Sequence, residues 1–216
     1  MNMMVKHALR DTRIQLVMGL LTFVVVAALS WFLYSSYRNR VNEQAQFAFS
    51  LQLENLERMR QDKAVDKHMW ESAAQGLAQA YQEHASSDLA PFYMTSEADA
   101  LLQAGKTAEA VQLLEKALQA MGSSNPLYYL YKIKLQVIRL GSDDAAIREE
   151  GHRELKALAE DVHNPHRGYA WYQLWHQAWV TGDEAGAEEA LAKLSAYQGQ
   201  GGQWGQLAQA KMEFSA

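Results

Sequence analysis

The chain contains no cysteine and only three prolines among its 216 residues. The lack of cysteine excludes disulfides, thiolate catalysis and cysteine-based zinc sites. Signals for β-strands are also nearly missing, because no segment alternates apolar and polar residues with hairpin dipeptides in between, whereas Ala, Leu, Gln, Glu and Lys are abundant. The composition therefore predicts an all-α protein.

Acidic residues outnumber basic ones outside the N-terminal region. The first forty residues carry a formal charge of +4 and the whole chain carries −5, which leaves −9 for residues 41–216. An acidic domain repels the phosphate backbone of nucleic acids and is not attracted to anionic lipid. Nucleic acid is therefore not an expected partner.

One long apolar run contrasts with this composition. It extends from Leu16 to Tyr34 and contains no charged side chain. A helix of this length, rising about 1.5 Å per residue, covers the hydrocarbon layer of a bilayer, which is about 30 Å thick. A buried core helix is one alternative, and a cleaved signal peptide with Ala28 and Ser30 at its cleavage site is another. The run continues beyond Ser30 and is too long for a signal peptide, which favours an uncleaved anchor.

The flanks of the apolar run predict how it is oriented. Basic residues before the run slightly outnumber those after it, which favours a cytoplasmic N-terminus. The sequence thus predicts a cytoplasmic tail (1–13), a transmembrane helix (14–37) and an exported domain (38–216) that lies in the periplasm of a bacterial cell. Aromatic rings and basic side chains at the outer end suit the headgroup layer. The predicted membrane-anchoring residues are Gly19, Trp31, Tyr34, Tyr37, Arg38 and Arg40.

The chain beyond the apolar run has the pattern of successive helices. Neither Pro nor Gly occurs between Gly19 and Gly76, so the membrane helix is predicted to continue into the exported domain. Three helical hairpins follow, and each begins at a proline and turns at a glycine, residues that suit a helix start and a left-handed cap or tight turn. The prolines recur at intervals of 35 and 39 residues, which indicates a repeat. These residues are Pro91, Pro126 and Pro165, and Gly105, Gly141 and Gly182.

The hairpins resemble the tetratricopeptide repeat (TPR), most closely from Pro91 to Ser124. Small residues at the packing positions of this repeat let two helices approach closely. The chain departs from the repeat at Gly122, where the family has a closing proline. The resemblance implies a TPR-like α-solenoid of antiparallel helix pairs behind a single N-terminal transmembrane helix. The repeat-defining residues are Ala98, Leu101, Gly105, Ala110, Leu114, Ala117 and, in the last hairpin, Gly182.

An N-terminal anchor joined to a short TPR-like exported domain resembles the family of the ancillary subunit of the SecYEG translocon. The resemblance covers residues 15–194 and rests on the architecture and the repeat positions. It implies a non-catalytic scaffold of the bacterial inner membrane that associates with translocon subunits, periplasmic chaperones or exported chains. It implies no cofactor and no small-molecule substrate. A scaffold for another envelope complex, in cell-wall synthesis, division or secretion, is the alternative.

Aromatic side chains on the first helices of two hairpins are candidate contacts for a protein partner. Three tryptophans in the last hairpin follow one another at four-residue steps and therefore share one stripe of a helix. Such a stripe packs in the core or lines the groove in which helical repeats hold their partners. The candidate residues are Tyr128, Tyr131, Tyr169, Tyr172, Trp171, Trp175 and Trp179.

His163 and His166 offer the remaining alternative, a metal-dependent hydrolase. Their three-residue spacing suits two imidazole ligands. However, they flank Asn164 and Pro165 at a predicted helix start, where polar residues are common, and no third ligand is evident. We therefore expect no metal, no cofactor and no catalytic residue.

Overall fold

The computed structural model describes residues 12–62, 64–196 and 202–213, and every regular element within these ranges is an α-helix. This confirms the all-α prediction. Most of the predicted tail (1–13) lies outside the described residues. The described helices are α1 (Thr12–Gln61), α2 (Lys67–Glu83), α3 (Ala90–Gln103), α4 (Thr107–Met121), α5 (Tyr128–Leu140), α6 (Ala145–Glu160), α7 (Arg167–Thr181), α8 (Glu184–Ala196) and α9 (Gly202–Glu213).

Helix α1 joins the apolar run to the rest of the chain without a break. Its 50 residues correspond to a length of about 75 Å. The prediction that the apolar helix continues into the domain is therefore confirmed. Helix α1 is long and apolar enough to cross a membrane, and no residue of its most apolar stretch is buried. The alternative of a buried core helix is therefore wrong.

From α2 onward each helix packs against the next, and α9 returns to α7 and α8. Two hydrophobic cores result. The first surrounds Tyr93 and Leu114 and takes side chains from the second half of α1 as well as from α2 to α5. The second surrounds Leu155 and Trp175 and takes side chains from α5 to α9. Helix α5 contributes to both cores and thereby connects the two halves of the domain.

In the α3–α4 hairpin, the small residues of the repeat lie in the interface between the two helices, as predicted. Its five repeat-defining helical residues are all buried, so their size sets how closely the two helices approach. In α3 they are Ala98 and Leu101, and in α4 they are Ala110, Leu114 and Ala117.

Two of the three predicted turn glycines have a left-handed backbone conformation. The φ angles are +83° at Gly105 and +75° at Gly182, which L-residues with a side chain rarely adopt. After Gly105, the N–H of Lys106 donates to the carbonyl oxygen of Leu101 at 2.8 Å, which closes a Schellman cap on α3. Gly141 has φ −83°, so the turn after α5 does not depend on a left-handed glycine.

Asparagine side chains cap the turns that lead into α5 and α7. Asn125 accepts the N–H of Leu127 at 2.9 Å, and Asn164 accepts the N–H of His166 at 2.8 Å. Both helices begin two residues after their prolines, so Pro126 and Pro165 lie in these turns rather than in the first helical turn. Buried Asn164 also donates to the carbonyl oxygen of Leu158 at 2.8 Å, which ties the end of α6 to the start of α7.

Helices α5 and α6 approach each other closely at Gly151, a position that the sequence pattern did not identify. A Cβ atom added to Gly151 would lie 2.9 Å from Cβ of Arg139 and 3.1 Å from the carbonyl oxygen of Gln136. Real Cβ contacts of 2.9 Å are essentially never seen. Gly151 therefore sets the spacing of these two helices.

Gly151→Ala is expected to lower the free energy of unfolding by about 1–2 kcal/mol, because overpacking outweighs the gain in helix propensity. Urea unfolding followed by circular dichroism measures this change. Gly76→Ala in α2 is the matched control, since its Cβ would lie 3.8 Å from the nearest atom, Oε1 of Gln52 in α1, which is an ordinary van der Waals distance. That control should be neutral or stabilising by up to about 1 kcal/mol. Equal effects of the two substitutions would contradict the close approach at Gly151.

Candidate partner-binding site

The predicted membrane-anchoring residues lie on the exposed part of α1. Gly19 has no atom within 4 Å of the place where a Cβ would stand. Trp31, Tyr34 and Tyr37 are exposed, as is Arg40, so these side chains are free to contact a lipid layer or a neighbouring helix. Aromatic and basic side chains at this position suit a membrane interface.

Arg38 also fixes the domain against α1. Its guanidinium group donates to a carboxylate oxygen of Asp88, which lies 50 positions later in the loop between α2 and α3. The amide of Asn42 donates to the other carboxylate oxygen at 2.7 Å and accepts the N–H of Asp88 at 3.0 Å. The α2–α3 loop is therefore held where the apolar run ends. The sequence identified Arg38 but gave no indication of this partner.

Helix α3 runs beside α1 in the same direction, away from the apolar run. Its buried Tyr93 donates its hydroxyl to the carbonyl oxygen of Ala45 at 2.7 Å. Further along, a carboxylate oxygen of Asp99 lies 3.8 Å from the guanidinium group of Arg60. Together with the Asp88 contacts, these interactions attach the domain along the side of α1 rather than at its end.

The candidate tyrosines of α5 are half-buried against the first core. Tyr131 lies 6.4 Å from the ring of Phe92 in α3. The ammonium group of Lys134 lies 5.9 Å from the Tyr131 ring and forms an ion pair with Asp99. Tyr128 packs edge-on against the ring that follows it in the sequence. Part of each ring remains accessible, on a surface that also carries paired charges.

The tryptophan stripe of α7 is mostly core. Trp171 is 4% exposed and Trp175 is fully buried, so neither side chain is available to a partner on this surface. Trp179 is half-buried and stacks on Trp175 with a centroid separation of 5.7 Å. Of the two interpretations that the sequence left open, core packing therefore describes Trp171 and Trp175.

The chain's own helix α9 covers the rest of the stripe. The indole of Trp204 contacts Tyr169 and Tyr172, with centroid separations of 4.8 and 5.3 Å. The ammonium group of Lys211 lies 5.3 Å from the centroid of Trp179. The aromatic face of α7 that was predicted to bind a partner is thus covered by α9, the last described helix.

The histidines of the chain do not form a metal site in the part that the structure describes. The backbone N–H of His163 donates to the carboxylate of Asp161 at 2.9 Å, within the turn before α7. Among residues 12–62, 64–196 and 202–213, no three His, Asp or Glu side chains are close enough to hold a metal ion. His176 lies in the aromatic cluster of α7, where burial and, secondly, Lys211 lower its pKa.

Glu97 in α3 is the acid most perturbed by its surroundings. Burial raises the pKa of Glu97 to about 7, although Lys116 in α4 acts in the opposite direction. The folded state thus favours the protonated carboxyl, whereas the unfolded chain ionises near the ordinary pKa of 4.5. This difference makes the stability of the domain depend on pH.

Glu97→Gln is expected to be more stable than the wild type at pH 8, because glutamine carries no charge that folding must bury. The expected gain is on the order of 1 kcal/mol, since Glu97 is partly accessible to solvent, which weakens the effect. In the wild type, the raised pKa of Glu97 contributes fully to the free energy of unfolding below about pH 4.5. This contribution is lost as the pH rises through about 7. Urea unfolding at pH 5 and pH 8 measures the difference. A stability difference that is the same at both pH values would contradict the assignment.

A groove of about 700 Å³ lies between α4, the end of α5 and α6. Aliphatic side chains, carboxylates and the guanidinium group of Arg139 line it. The groove is built from side chains of three helices and the turn after α5, so no local sequence pattern reveals it.

No protein-family model, curated protein or solved structure matches this chain.

Proposed function

We propose that this protein is a single-pass membrane protein whose helical domain binds other proteins and catalyses no reaction. One observation carries this proposal: a single continuous helix is apolar and exposed in its first half and forms part of the domain core in its second half. Such an extended apolar surface is unfavourable in water and suits a bilayer. The contacts of Arg38 and Asn42 with Asp88 then hold the domain next to the membrane surface.

The proposed orientation places the N-terminus in the cytoplasm and the domain on the outer face, which in a bacterial cell is the periplasmic side of the inner membrane. The support is the small excess of basic residues before the apolar run. The acidic character of residues 41–216 agrees with a domain that stands above the lipid rather than lying on it.

The domain acts as a scaffold of helix pairs. Successive helices that pack on their neighbours, small buried residues in the α3–α4 hairpin and left-handed turn glycines support a TPR-like solenoid. Such arrays present extended surfaces to protein partners. The proposed role is accessory to the Sec translocon, where the domain holds exported chains or recruits periplasmic chaperones.

Co-purification of the tagged full chain in mild detergent tests this role. Translocon subunits are expected to be enriched in the eluate over a control in which the apolar run is replaced by an unrelated single-pass helix. Recovery of a different envelope complex, for instance one of cell-wall synthesis or division, without any translocon subunit would reject the translocon role.

A further inference from the structure

The groove between α4 and α6 has an aliphatic floor. Val111 from α4 and Ile138 from α5 line it and are half-buried. Ile147 from α6 also lines it and is 40% exposed. Three aliphatic side chains from three helices thus face a common space that the described part of the chain leaves open. An apolar side chain of a partner would gain free energy by covering them.

The margin of the groove is acidic, and the arginine within it, like Arg148 beside it, is already engaged. Arg139 is only 17% exposed and forms ion pairs with Glu115 at 2.6 Å and Glu150 at 3.1 Å. Arg148 donates to two carbonyl oxygens of the turn between α5 and α6, at 2.7 and 2.8 Å. Both guanidinium groups are therefore occupied by contacts within the protein.

Two further carboxylates at one end of the groove leave a surplus of negative charge. Asp144 caps α6 by accepting the N–H of Ala146 at 2.8 Å. Asp143 is exposed and forms no ion pair with the residues that the structure describes. Opposite charges across an interface speed association and select the partner. The surplus favours a ligand that carries lysine or arginine.

The groove lies far from the apolar run. The ammonium group of Lys106 lies 3.4 Å from the carboxylate of Glu71, near the start of α2, the helix that follows α1. Thr107, the next residue, lines the groove. Between Arg38 and Gln61, α1 rises by about 35 Å. The groove is therefore accessible to a soluble protein rather than to a helix within the membrane.

The charges also disfavour other occupants. A second copy of the domain would bring another −9 charges, carried by residues 41–216, toward an acidic groove. An anionic lipid surface would be repelled for the same reason. A soluble partner with a basic segment is the occupant that matches both the floor and the margin.

We propose that this groove binds a basic amphipathic segment of a soluble protein. Apolar side chains of the segment cover Ile147 and its aliphatic neighbours, while its lysines or arginines approach Glu115, Asp143 and Glu150. The proposal names the kind of partner and rests on the proposed scaffold function, although it does not depend on the translocon.

The test measures binding of a labelled helical peptide of leucine and lysine to the full chain in a non-ionic detergent, by fluorescence anisotropy. Ile147→Asp and Asp143→Lys are each expected to raise the Kd at least about tenfold. Val162→Asp is the matched control, since Val162 is 72% exposed and does not line the groove. It should bind the peptide as the wild type does.

Two further peptides define the chemistry of the site. A peptide with glutamate in place of lysine should bind weakly because of the acidic margin, and a peptide of lysine and serine should bind weakly because it cannot cover the floor. The proposal would be overturned if the wild type and the three variants bound the leucine–lysine peptide equally well, or if the wild type preferred the glutamate peptide. So would failure of the leucine–lysine peptide to bind the wild type at any concentration that keeps it monomeric.

The two proposals fail in distinguishable ways. Groove-dependent peptide binding without translocon subunits in the co-purification would keep the groove and reject the translocon role. Co-purification with the translocon without groove-dependent peptide binding would reject the groove alone.

Discussion

Two arginines in the centre of the apolar run, Val24→Arg with Ala28→Arg, are expected to prevent stable insertion of the chain. The two positions are one helical turn apart, and both are exposed on α1. An arginine at the centre of a membrane helix costs about 2.5–3.5 kcal/mol on insertion scales, so the pair adds about 5–7 kcal/mol. Sodium carbonate extraction of membranes measures the result, and the variant should leave the membrane fraction.

The matched control places two arginines on the same helix beyond the run, as Phe47→Arg with Leu51→Arg. Both side chains are exposed, so the domain core is left intact. This variant should remain in the membrane fraction with the wild type. A Val24→Arg, Ala28→Arg chain that resists carbonate extraction as well as the control does would contradict the assignment of the run as a membrane anchor.

Trp175→Ala is expected to lower the free energy of unfolding by about 3–5 kcal/mol, the usual cost of removing a large buried aromatic side chain. Trp175 heads the fully buried side chains when these are ranked by volume. Its ring contacts Trp179 and also Tyr172, at a centroid distance of 5.6 Å. The substitution therefore removes the centre of the second core. Urea unfolding of the full chain in mild detergent, followed by near-ultraviolet circular dichroism, measures the change.

Trp175→Phe separates the packing of the ring from its polar group. The indole N–H of Trp175 is buried and has no hydrogen-bond acceptor among the described residues. Because phenylalanine removes this unpaired donor, the substitution should cost much less than Trp175→Ala. Trp31→Ala is the exposed control and should leave the unfolding free energy unchanged. If Trp175→Ala were as stable as Trp31→Ala, the assignment of Trp175 to the core would be wrong.

The sequence was most informative where the structure depends on local chemistry. The uninterrupted course of α1 follows from the absence of proline and of glycine after Gly19. The turn at Gly105 follows from the need for a left-handed residue. The close packing of α3 and α4 follows from small residues such as Ala98 and Ala110 at helical spacing. Each of these features depends on residues that are neighbours along the chain.

The sequence was least informative where residues distant along the chain meet. Trp204 covers Tyr172 because α9 returns to α7, and no spacing rule predicts that return. The pairing of Arg38 with Asp88 spans 50 positions. The sequence does not distinguish Gly151 from other helical glycines. Its lack of a side chain matters only because α5 packs closely against it. The groove beside Ile147 likewise exists only after three helices have packed.

Site-specific photocrosslinking in living cells tests the central claim most directly. One probe replaces Phe23 in the exposed apolar run, another replaces Ile147 in the groove, and a probe at fully buried Leu77 is the control. We expect crosslinks from position 23 to a translocon subunit, crosslinks from position 147 to a soluble protein, and none from position 77. Crosslinks from position 23 only to another membrane complex, together with a silent position 147, would contradict a translocon-associated scaffold.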